Sequence, residues 1–368
     1  MSERRALQGE RAALLDDPAA LKHGDPHGAG DVLADFPRQC RAAARLRAEP
    51  ALAAGPPSIV VVAGMGGSAA GGDLLATCAA ERVGVPIVVH RGYDLPPTAR
   101  GRALVIASSY SGETVEVLSA VDLALERGLS VVAMTSGGPL GTRAAQRGLP
   151  RVTLPGGLMP RMALGYLLFP GVTVLRDVGL EVATVAEVSE ALDVVDALAG
   201  DLVPERPSAE NEAKRLALAI GDRLPAIYGG PVTGAVAYRW KTDVEENAKT
   251  FAMSGAIPEM NHNAIEAWRA PRAGDLQLVF LRDRQEPPAI ARRFTVLREL
   301  VGDAAGGVSE CWARGSGRLA RLVSLAYVGQ WTSYYLAVLR GRDPWTVPLL
   351  DELKRRMHVE GASGRVLD

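Results

Sequence analysis

The chain has 368 residues, of which 48% are hydrophobic and 23% are charged, a balance typical of a globular protein with a sizeable core. Its 41 basic and 42 acidic residues give a formal net charge of −1, so no broad positive field is present to hold nucleic acid or an anionic membrane. We therefore expect neither as a partner, and an anionic ligand needs a local binding site.

The cysteines and the N-terminus indicate the compartment. Cys40, Cys78 and Cys311 are far apart and lack the spacing of a zinc or redox site, which predicts free thiols. The first residues are charged and lack the apolar segment of a signal peptide. The longest apolar stretch, 157–175, contains Arg161 and two prolines and is a poor membrane span. We expect a cytoplasmic protein that contains no metal and needs no cofactor.

The first half of the chain alternates strands with helices. Residues 1–34 predict an N-terminal arm with a short helix, and apolar spacing predicts a firmer helix over 31–48. The β-branched run at 58–63 has the composition of a parallel strand that is buried on both faces. Later apolar runs, most of them separated by helix-length segments, predict strands at 86–90, 103–107, 130–134 and 151–154.

The second half repeats this alternation. A shift toward Asp, Pro, Glu and Ser over 197–214 predicts a linker, and we place the two domains at 35–200 and 201–368. After the linker, strands are predicted at 226–228, 277–281 and 308–312. Helices are predicted at 235–253, 289–300, 318–339 and 347–357. The pattern predicts an α/β fold with two tandem doubly wound parallel sheets.

A glycine-rich turn, GMGGSAAGG at 64–72, follows the first buried strand and precedes a helix. Free backbone N–H groups at such a helix start can bind a phosphate. The spacing of Gly64, Gly66 and Gly67 does not fit a dinucleotide-binding fingerprint, and a P-loop lysine is missing. Taken alone, the turn is equally compatible with a tight connection that binds nothing.

A second polar turn, SSYSGETVEV at 108–117, follows the strand predicted at 103–107. Ser109, Ser111 and Thr114 supply hydroxyls ahead of a helix, and hydroxyls with free N–H groups suit a phosphate monoester. Simple capping of the helix by these side chains is the alternative. Because the carboxyl ends of parallel strands meet at one edge of a sheet, the two turns together favour a phosphate site there.

A third segment, 240–268, concentrates acidic, basic and amide side chains. Isomerases and hydrolases need an acid and a base in one pocket, and Glu and His are the usual pair, which makes Glu245, Glu246 and His262 candidates. The alternative is a solvated helix face, because Lys241 and Glu245 form an i,i+4 pair. Periodicity does not choose between the two glutamates, since both lie off the apolar face.

The order of the motifs is more specific than any one of them. GMGGSAAGG followed about forty residues later by SSYSGET resembles the sugar isomerase (SIS) domain, a phosphosugar-binding fold. The resemblance extends to PRMALGY at 160–166, DVEENAK at 243–249, PEMNHN at 258–263 and LDELK at 350–354. Over residues 30–360 the chain resembles the bifunctional phosphoglucose/phosphomannose isomerases of bacteria and archaea. This resemblance implies two SIS-type, flavodoxin-like subdomains with flanking helices.

The resemblance also implies roles for residues. Arg161 would stabilise the developing enediolate oxygen, and Glu246 would be the base that moves a proton between C1 and C2. His262 and Lys354 would assist ring opening and proton transfer at the ring oxygen, with His262 supplied by the neighbouring subunit of a homodimer. The sugar phosphate would be held by the backbone of Gly67 and by the side chains of Ser68, Ser109, Ser111 and Thr114.

The implied reaction interconverts glucose 6-phosphate and fructose 6-phosphate, with mannose 6-phosphate as a second substrate. Thr346 is the hydroxyl residue shortly before Lys354 that the resemblance links to the mannose epimer. A phosphoglucose isomerase with one activity is the main alternative. A non-catalytic phosphosugar sensor is less favoured, because the acid and base residues are present. An aminotransferase would need an N-terminal cysteine nucleophile, and the first cysteine is Cys40.

Overall fold

The computed structural model of the protein describes residues 2–53 and 55–362, with side chains described over 8–53 and 55–357. Each half of the chain forms one sheet. The strands of the first sheet are β1 (Ile59–Ala63), β2 (Ile87–His90), β3 (Ala103–Ser108), β4 (Ser130–Thr135) and β5 (Arg151–Thr153). The strands of the second sheet are β6 (Leu224–Gly229), β7 (Met253–Ala256), β8 (Leu276–Arg282) and β9 (Gly307–Trp312).

Both sheets are parallel, and their strand orders match. The first sheet has the order β2-β1-β3-β4-β5, which is the flavodoxin-like order, and the second has the order β7-β6-β8-β9. The second order therefore repeats the first four positions of the first. Alternate residues of β1 belong to two different core clusters, because both faces of the first sheet are covered. The predicted α/β class with two tandem doubly wound sheets is confirmed.

The short strand β7 corrects the sequence analysis, which predicts a helix over 235–253. That helix ends at Ala248, and Lys249 follows with φ of 51°, in the left-handed region that commonly terminates helices. β7 has the sequence MSGA, is incompletely buried and lies at the edge of its sheet. Four small or flexible residues give no strand periodicity, so the sequence contains no clear signal for it.

The helices of the first half include the N-terminal segment. The helix predicted over 31–48 is two helices, because Pro37 lies in the first turn of the second and cannot donate a backbone hydrogen bond. The helices are α1 (Ser2–Asp16), α2 (Pro18–Gly24), α3 (Ala29–Ala34), α4 (Phe36–Ala43), α5 (Gly66–Ala79), α6 (Val115–Glu126), α7 (Gly138–Arg147), α8 (Leu164–Asp177) and α9 (Val185–Leu202). Leu15, Leu21 and Leu33 of the N-terminal segment are buried in the main core.

One helix of the second half lies at the centre of the molecule. The helices are α10 (Glu212–Ile220), α11 (Gly234–Ala248), α12 (Pro288–Val301), α13 (Arg318–Leu339) and α14 (Pro348–Ala362). All residues from 319 to 338 on α13 are buried, and α13 packs against α9, α10 and α11. The predicted linker over 197–214 contains the end of α9 and the start of α10. None of the helices over 2–53 and 55–362 is long and apolar enough to cross a membrane.

Candidate active site

The two polar turns lie side by side at the carboxyl edge of the first sheet. β1 and β3 are neighbours, with Ala63 paired to Ala107, so the turns that follow them start at the same level. The Ser68 hydroxyl accepts a hydrogen bond from the N–H of Tyr110 at 3.2 Å, and the Ser108 hydroxyl donates to the Ser68 carbonyl at 3.3 Å. These bonds fix the glycine-rich turn against the serine-rich turn.

Three hydroxyls of the second turn lie ahead of α6. The side-chain oxygens of Ser109 and Thr114 are 2.8 Å apart, and the Ser109 oxygen accepts from the N–H of Gly112 at 3.1 Å. Ser111 is exposed, and its hydroxyl accepts from the N–H of Glu113 at 3.2 Å. The turn therefore groups the three hydroxyls predicted from the sequence.

The first turns of α5 and α6 have no capping side chain. Thr114 is the cap residue of α6, but its hydroxyl bonds to Ser109 and not to the helix, so the capping alternative does not hold for it. Met65 is the cap residue of α5, and its side chain makes no capping bond. Both helices therefore direct backbone N–H groups and the positive end of the helix dipole toward this edge, an arrangement that favours a phosphate.

The glycine-rich turn also contacts the segment that contains Arg161. A Cβ atom on Gly67 would lie 2.7 Å from the carbonyl oxygen of Pro160 and 3.0 Å from the backbone nitrogen of Arg161. Only glycine fits there without displacing the backbone. Arg161 lies in a short 3₁₀ helix, Pro160–Met162, and this contact places its backbone directly against the turn.

The side chain of Arg161 is buried and firmly held. Its Nε donates to Oδ1 of Asn247 at 2.7 Å, and its Nη2 donates to the carbonyl oxygens of Pro344 at 2.8 Å and Trp345 at 2.6 Å. Its Nη1 lies 3.5 Å from Oε2 of Glu246. Burial lowers the pKa of Arg161, the carboxylate of Glu246 opposes the shift, and an arginine stays protonated. The site therefore contains a fixed positive charge.

The two glutamates that the sequence leaves open have different surroundings. Glu246 faces Arg161, and its side chain is 30% exposed, so a ligand can reach it. The carboxylate of Glu245 is paired with Lys241 of the same helix at 2.8 Å. Glu245 therefore forms the i,i+4 pair expected of a helix face, and Glu246 is the carboxylate beside the buried guanidinium.

A second arginine–carboxylate pair supports the backbone of Arg161. Arg239 and Asp243 are both buried on α11, and their side chains are joined by bonds of 2.9 and 2.7 Å. Arg239 also donates to the carbonyl oxygen of Arg161. Burial raises the pKa of Asp243 to about 7, and the charge of Arg239 opposes this shift. The pair fixes the backbone from which the Arg161 side chain extends.

The remaining predicted site residues lie at the surface. His262 is exposed at the end of the 3₁₀ helix Glu259–His262, which follows β7. Lys354 is exposed on α14, and Thr346 is exposed in the segment before that helix. Within the described residues, no hydrogen bond or ion pair joins His262 to Arg161 or Glu246. One chain thus brings together the glycine-rich turn, the serine-rich turn, Arg161 and Glu246, and leaves His262 outside the cluster.

Two residues near Arg161 are absent from the predicted site: Asn247, which accepts from Arg161, and Asp343, whose carboxylate bonds to the backbone of the segment that accepts from Arg161. Asn247 is buried, three residues after the buried Val244 on α11, and a polar residue on an apolar helix face is a signal that could have identified it. Asp343, which folds the segment containing Pro344 and Trp345, gives no such signal. In the described parts of the chain, no group of three or more His, Cys, Asp or Glu side chains could hold a metal ion.

Comparison with known proteins defines the class. Residues 209–357 match the family described as the bacterial phospho-glucose isomerase C-terminal SIS domain. A glucose-6-phosphate isomerase like protein from Thermus thermophilus has the same fold, with a TM-score of 0.60 and 22% identity, covering 93% of this chain and 98% of that chain. The chain is therefore an α/β protein of the SIS fold.

Two sequence relatives define the family. The bifunctional phosphoglucose/phosphomannose isomerase of Caldicellulosiruptor bescii is 38% identical over 301 residues, which cover 81% of this chain and 89% of the relative. The protein of the same name from Thermoplasma acidophilum is 34% identical over 300 residues, which cover 82% and 90%. The chain belongs to the bifunctional phosphoglucose/phosphomannose isomerase family, and the resemblance identified from its motifs is confirmed.

Proposed function

We propose that the protein is a sugar phosphate isomerase that interconverts glucose 6-phosphate and fructose 6-phosphate, and also mannose 6-phosphate and fructose 6-phosphate. Membership of the family supports both activities. The observation that carries the proposal is the 3.5 Å contact between the buried Arg161 and the accessible Glu246, beside the turn that contains Gly67. A fixed positive charge next to a reachable carboxylate suits proton transfer adjacent to a carbonyl group.

The phosphate of the substrate is held at the edge of the first sheet. The uncapped starts of α5 and α6 support this assignment, because their N–H groups and helix dipoles favour an anion. The hydroxyls of the second turn add donors that can reorient toward phosphate oxygens. The proposed phosphate ligands are the backbone of Gly67 and the side chains of Ser68, Ser109, Ser111 and Thr114.

The proton transfer runs between two neighbouring carbon atoms. Glu246 takes the proton from C2 of the open-chain aldose, the C–H electron pair forms the C1–C2 double bond, and the carbonyl pair moves to O1. Arg161 stabilises the negative oxygen. After O1 gains a proton and O2 loses one, the C2 carbonyl forms and C1 takes back the proton from Glu246. The overall step needs no oxidant or reductant, so the reaction requires no redox cofactor.

One base can serve both epimers. C2 is planar in the enediol intermediate, so a proton can return to either face once the C2–C3 bond has rotated, which gives glucose 6-phosphate or mannose 6-phosphate. We propose that Thr346 assists the mannose epimer. Its position supports this role, because the carbonyl oxygen of the preceding residue, Trp345, accepts a hydrogen bond from Nη2 of Arg161.

The complete site requires a second copy of the chain. His262 is exposed and lies outside the Arg161–Glu246 cluster, which supports its delivery to a neighbouring subunit for ring opening. Lys354 lies on α14, where Leu349, Leu353 and Met357 form an exposed apolar stripe with four-residue spacing. Such a stripe supports packing of α14 in a homodimer.

The three buried free thiols support a reducing, cytoplasmic compartment.

The test is formation of fructose 6-phosphate from glucose 6-phosphate and, separately, from mannose 6-phosphate, with EDTA present. Turnover of both sugars supports the proposal, and a run in D₂O should place deuterium at C2 of the recovered aldose. Turnover of glucose 6-phosphate alone would assign the single activity. A folded protein that turns over neither sugar would contradict catalysis and favour a phosphosugar sensor.

A further inference from the structure

We propose that Asp343 is a positioning residue that sets the orientation of the Arg161 guanidinium, and that His27 of the N-terminal segment supports it. The inference rests on the proposed role of Arg161 in stabilising the enediolate oxygen. It assigns a function to two residues that lie near opposite ends of the sequence and contact each other beside the active site.

The segment 343–346 holds Arg161 through its backbone. A single nitrogen, Nη2, donates to the consecutive carbonyl oxygens of Pro344 and Trp345, at 2.8 and 2.6 Å. The direction of the guanidinium therefore follows the conformation of this segment. If the segment shifts, Nη1 turns relative to Glu246 and to the oxygen that becomes negative in the reaction.

The carboxylate of Asp343 folds this segment. Its Oδ1 accepts from the N–H of Trp345 at 2.8 Å, and its Oδ2 lies 3.4 Å from the N–H of Thr346. A carboxylate that accepts from the backbone two residues ahead forms an Asx-turn, which fixes a tight bend. Burial acts to raise the pKa of Asp343, but these bonds and the nearby His27 outweigh it and lower the pKa. The ionised acceptor is therefore favoured.

His27 reaches the same segment from the N-terminal part of the chain, between α2 and α3. Its Nδ1 lies 3.1 Å from Oδ2 of Asp343. Its ring also stacks on Trp345, with centroids 6.5 Å apart and an interplanar angle of 22°. His27 thus contacts both the carboxylate that folds the segment and a residue whose carbonyl holds Arg161. Because both partners are partly exposed, this contact is weaker than the Asx-turn.

Lys249 ties the segment to the helix that contains Glu246. Its Nζ donates to the carbonyl oxygen of Asp343, and also to that of Asn247 at 3.2 Å. Lys249 has φ of 51°, a conformation that glycine adopts more easily. The bond to Asp343 gives a reason for a lysine at this strained position. Segment 343–346 is therefore connected to Arg161 and to the end of α11 that contains Glu246.

The test compares steady-state kinetics of the full-length protein with glucose 6-phosphate as substrate. Asp343→Ala should lower kcat by about tenfold to hundredfold with little change in KM, because a misplaced charge acts on the transition state. Asp343→Asn should lose less, since an amide oxygen can still accept from Trp345. His27→Ala should lower kcat by about threefold, in keeping with a partly exposed pair. The matched control is His23→Gln, an exposed histidine on α2, which should keep wild-type kinetics.

A double-mutant cycle separates positioning from general structure. In an Arg161→Ala background, Asp343→Ala should cause little further loss of kcat, because the group that it orients is gone. Full additivity of the two losses, or an unchanged kcat in both Asp343 variants, would overturn the inference while the wild type remains an isomerase. An inactive wild type would instead overturn the proposed function and this inference with it. If Asp343→Ala does not fold, the same double-mutant comparison with Arg161→Ala is made with Asp343→Asn and with His27→Ala.

Discussion

At the residue scale, Arg161 is oriented by neighbours on each side of its guanidinium. Asn247 accepts from Nε at 2.7 Å and donates through Nδ2 to the Ser333 hydroxyl at 2.8 Å. That hydroxyl in turn donates to the carbonyl oxygen of Gln330 at 2.7 Å. Since every partner in this chain of bonds is buried, the amide of Asn247 has one favourable orientation, with its oxygen toward Arg161.

Replacing Asn247 should therefore reduce both stability and activity. Asn247→Ala leaves the Nε of Arg161 without its buried acceptor, so we expect a loss of about 1–3 kcal/mol in the free energy of unfolding and a lower kcat. Asn247→Asp keeps an acceptor toward Arg161 and should retain more of the kcat. Denaturant unfolding and steady-state kinetics measure the two effects. An alanine variant with wild-type kcat would show that this bond does not orient Arg161.

Lys249 gives the stability a distinct pH dependence. Burial of its amino group and, after that, the neighbouring charge of Arg161 lower the pKa of Lys249 from 10.5 to about 8. Between these values the unfolded chain binds the proton and the folded chain has released it, so the contribution of Lys249 to the free energy of unfolding increases as pH increases. Lys249→Met should lack this increase. The measurement is the difference in unfolding free energy between wild type and variant from neutral pH to about pH 10. A difference that stays constant over this range would contradict the shift.

At the element scale, the close contact between the start of α5 and the 3₁₀ helix Pro160–Met162 joins the phosphate turn to Arg161. Gly67→Ala places a Cβ atom 2.7 Å from the carbonyl oxygen of Pro160, so the two backbones must separate. We expect a loss of about 1–3 kcal/mol in stability. KM should rise because the phosphate turn moves, and kcat should fall because Arg161 moves with Pro160. The measurements are denaturant unfolding and steady-state kinetics.

The control for this substitution is Gly200→Ala on α9, where an added Cβ atom meets nothing within 4 Å. Because alanine favours a helix more than glycine does, this variant should be as stable as the wild type or more stable. If Gly67→Ala behaved like Gly200→Ala in both stability and kinetics, the contact with Pro160 would have no role in placing the site.

The elements differ in how far the sequence predicts them. A continuous β-branched run predicts β1 and a short apolar run predicts β3, because buried parallel strands have such compositions. β7 was missed, since its four residues show no periodicity and its position depends on pairing with β6. The face of α11 on which Asn247 lies could have shown that this residue is buried, but not that its partner is Arg161. The proposed role of Asp343 could not be predicted, because it depends on the contact of segment 343–346 with Arg161, which is far away in the chain. The glycine-rich and serine-rich turns could be predicted from the sequence, because in each case a strand, a turn and a helix follow one another directly along the chain.

At the scale of the whole molecule, the site lies between the two halves of the chain. The phosphate turns and Arg161 come from the first half, and Glu246, Asn247 and segment 343–346 come from the second. The central helix α13 packs against α9 from the first half and against α10 and α11 from the second. The N-terminal segment adds His27, so residues from nearly the full length of the chain contribute to the surroundings of Arg161.

A mixed dimer should show whether His262 acts in the neighbouring subunit. Glu246→Gln and His262→Ala should each be inactive, but a dimer with one chain of each kind has one site that contains both intact residues. Random pairing by co-expression should therefore restore about a quarter of the wild-type activity, given a closed two-fold dimer. Separately purified and unmixed variants are the control. No recovery, with mixed dimers demonstrated by differently tagged chains, would show that His262 and Glu246 act within one chain. Wild-type activity of His262→Ala on its own would show that His262 has no role.

In the proposed reaction Glu246, and not its neighbour Glu245, transfers the proton. The most direct measurement compares kcat for the conversion of glucose 6-phosphate by Glu246→Gln and Glu245→Gln, two variants with the same change at adjacent positions of α11. Glu246→Gln should lower kcat by about 10²–10⁴-fold, the typical contribution of a general base, whereas Glu245→Gln loses only its contact with Lys241 and should remain close to wild type. Loss of activity in Glu245→Gln with activity retained in Glu246→Gln would show that Glu246 is not the base.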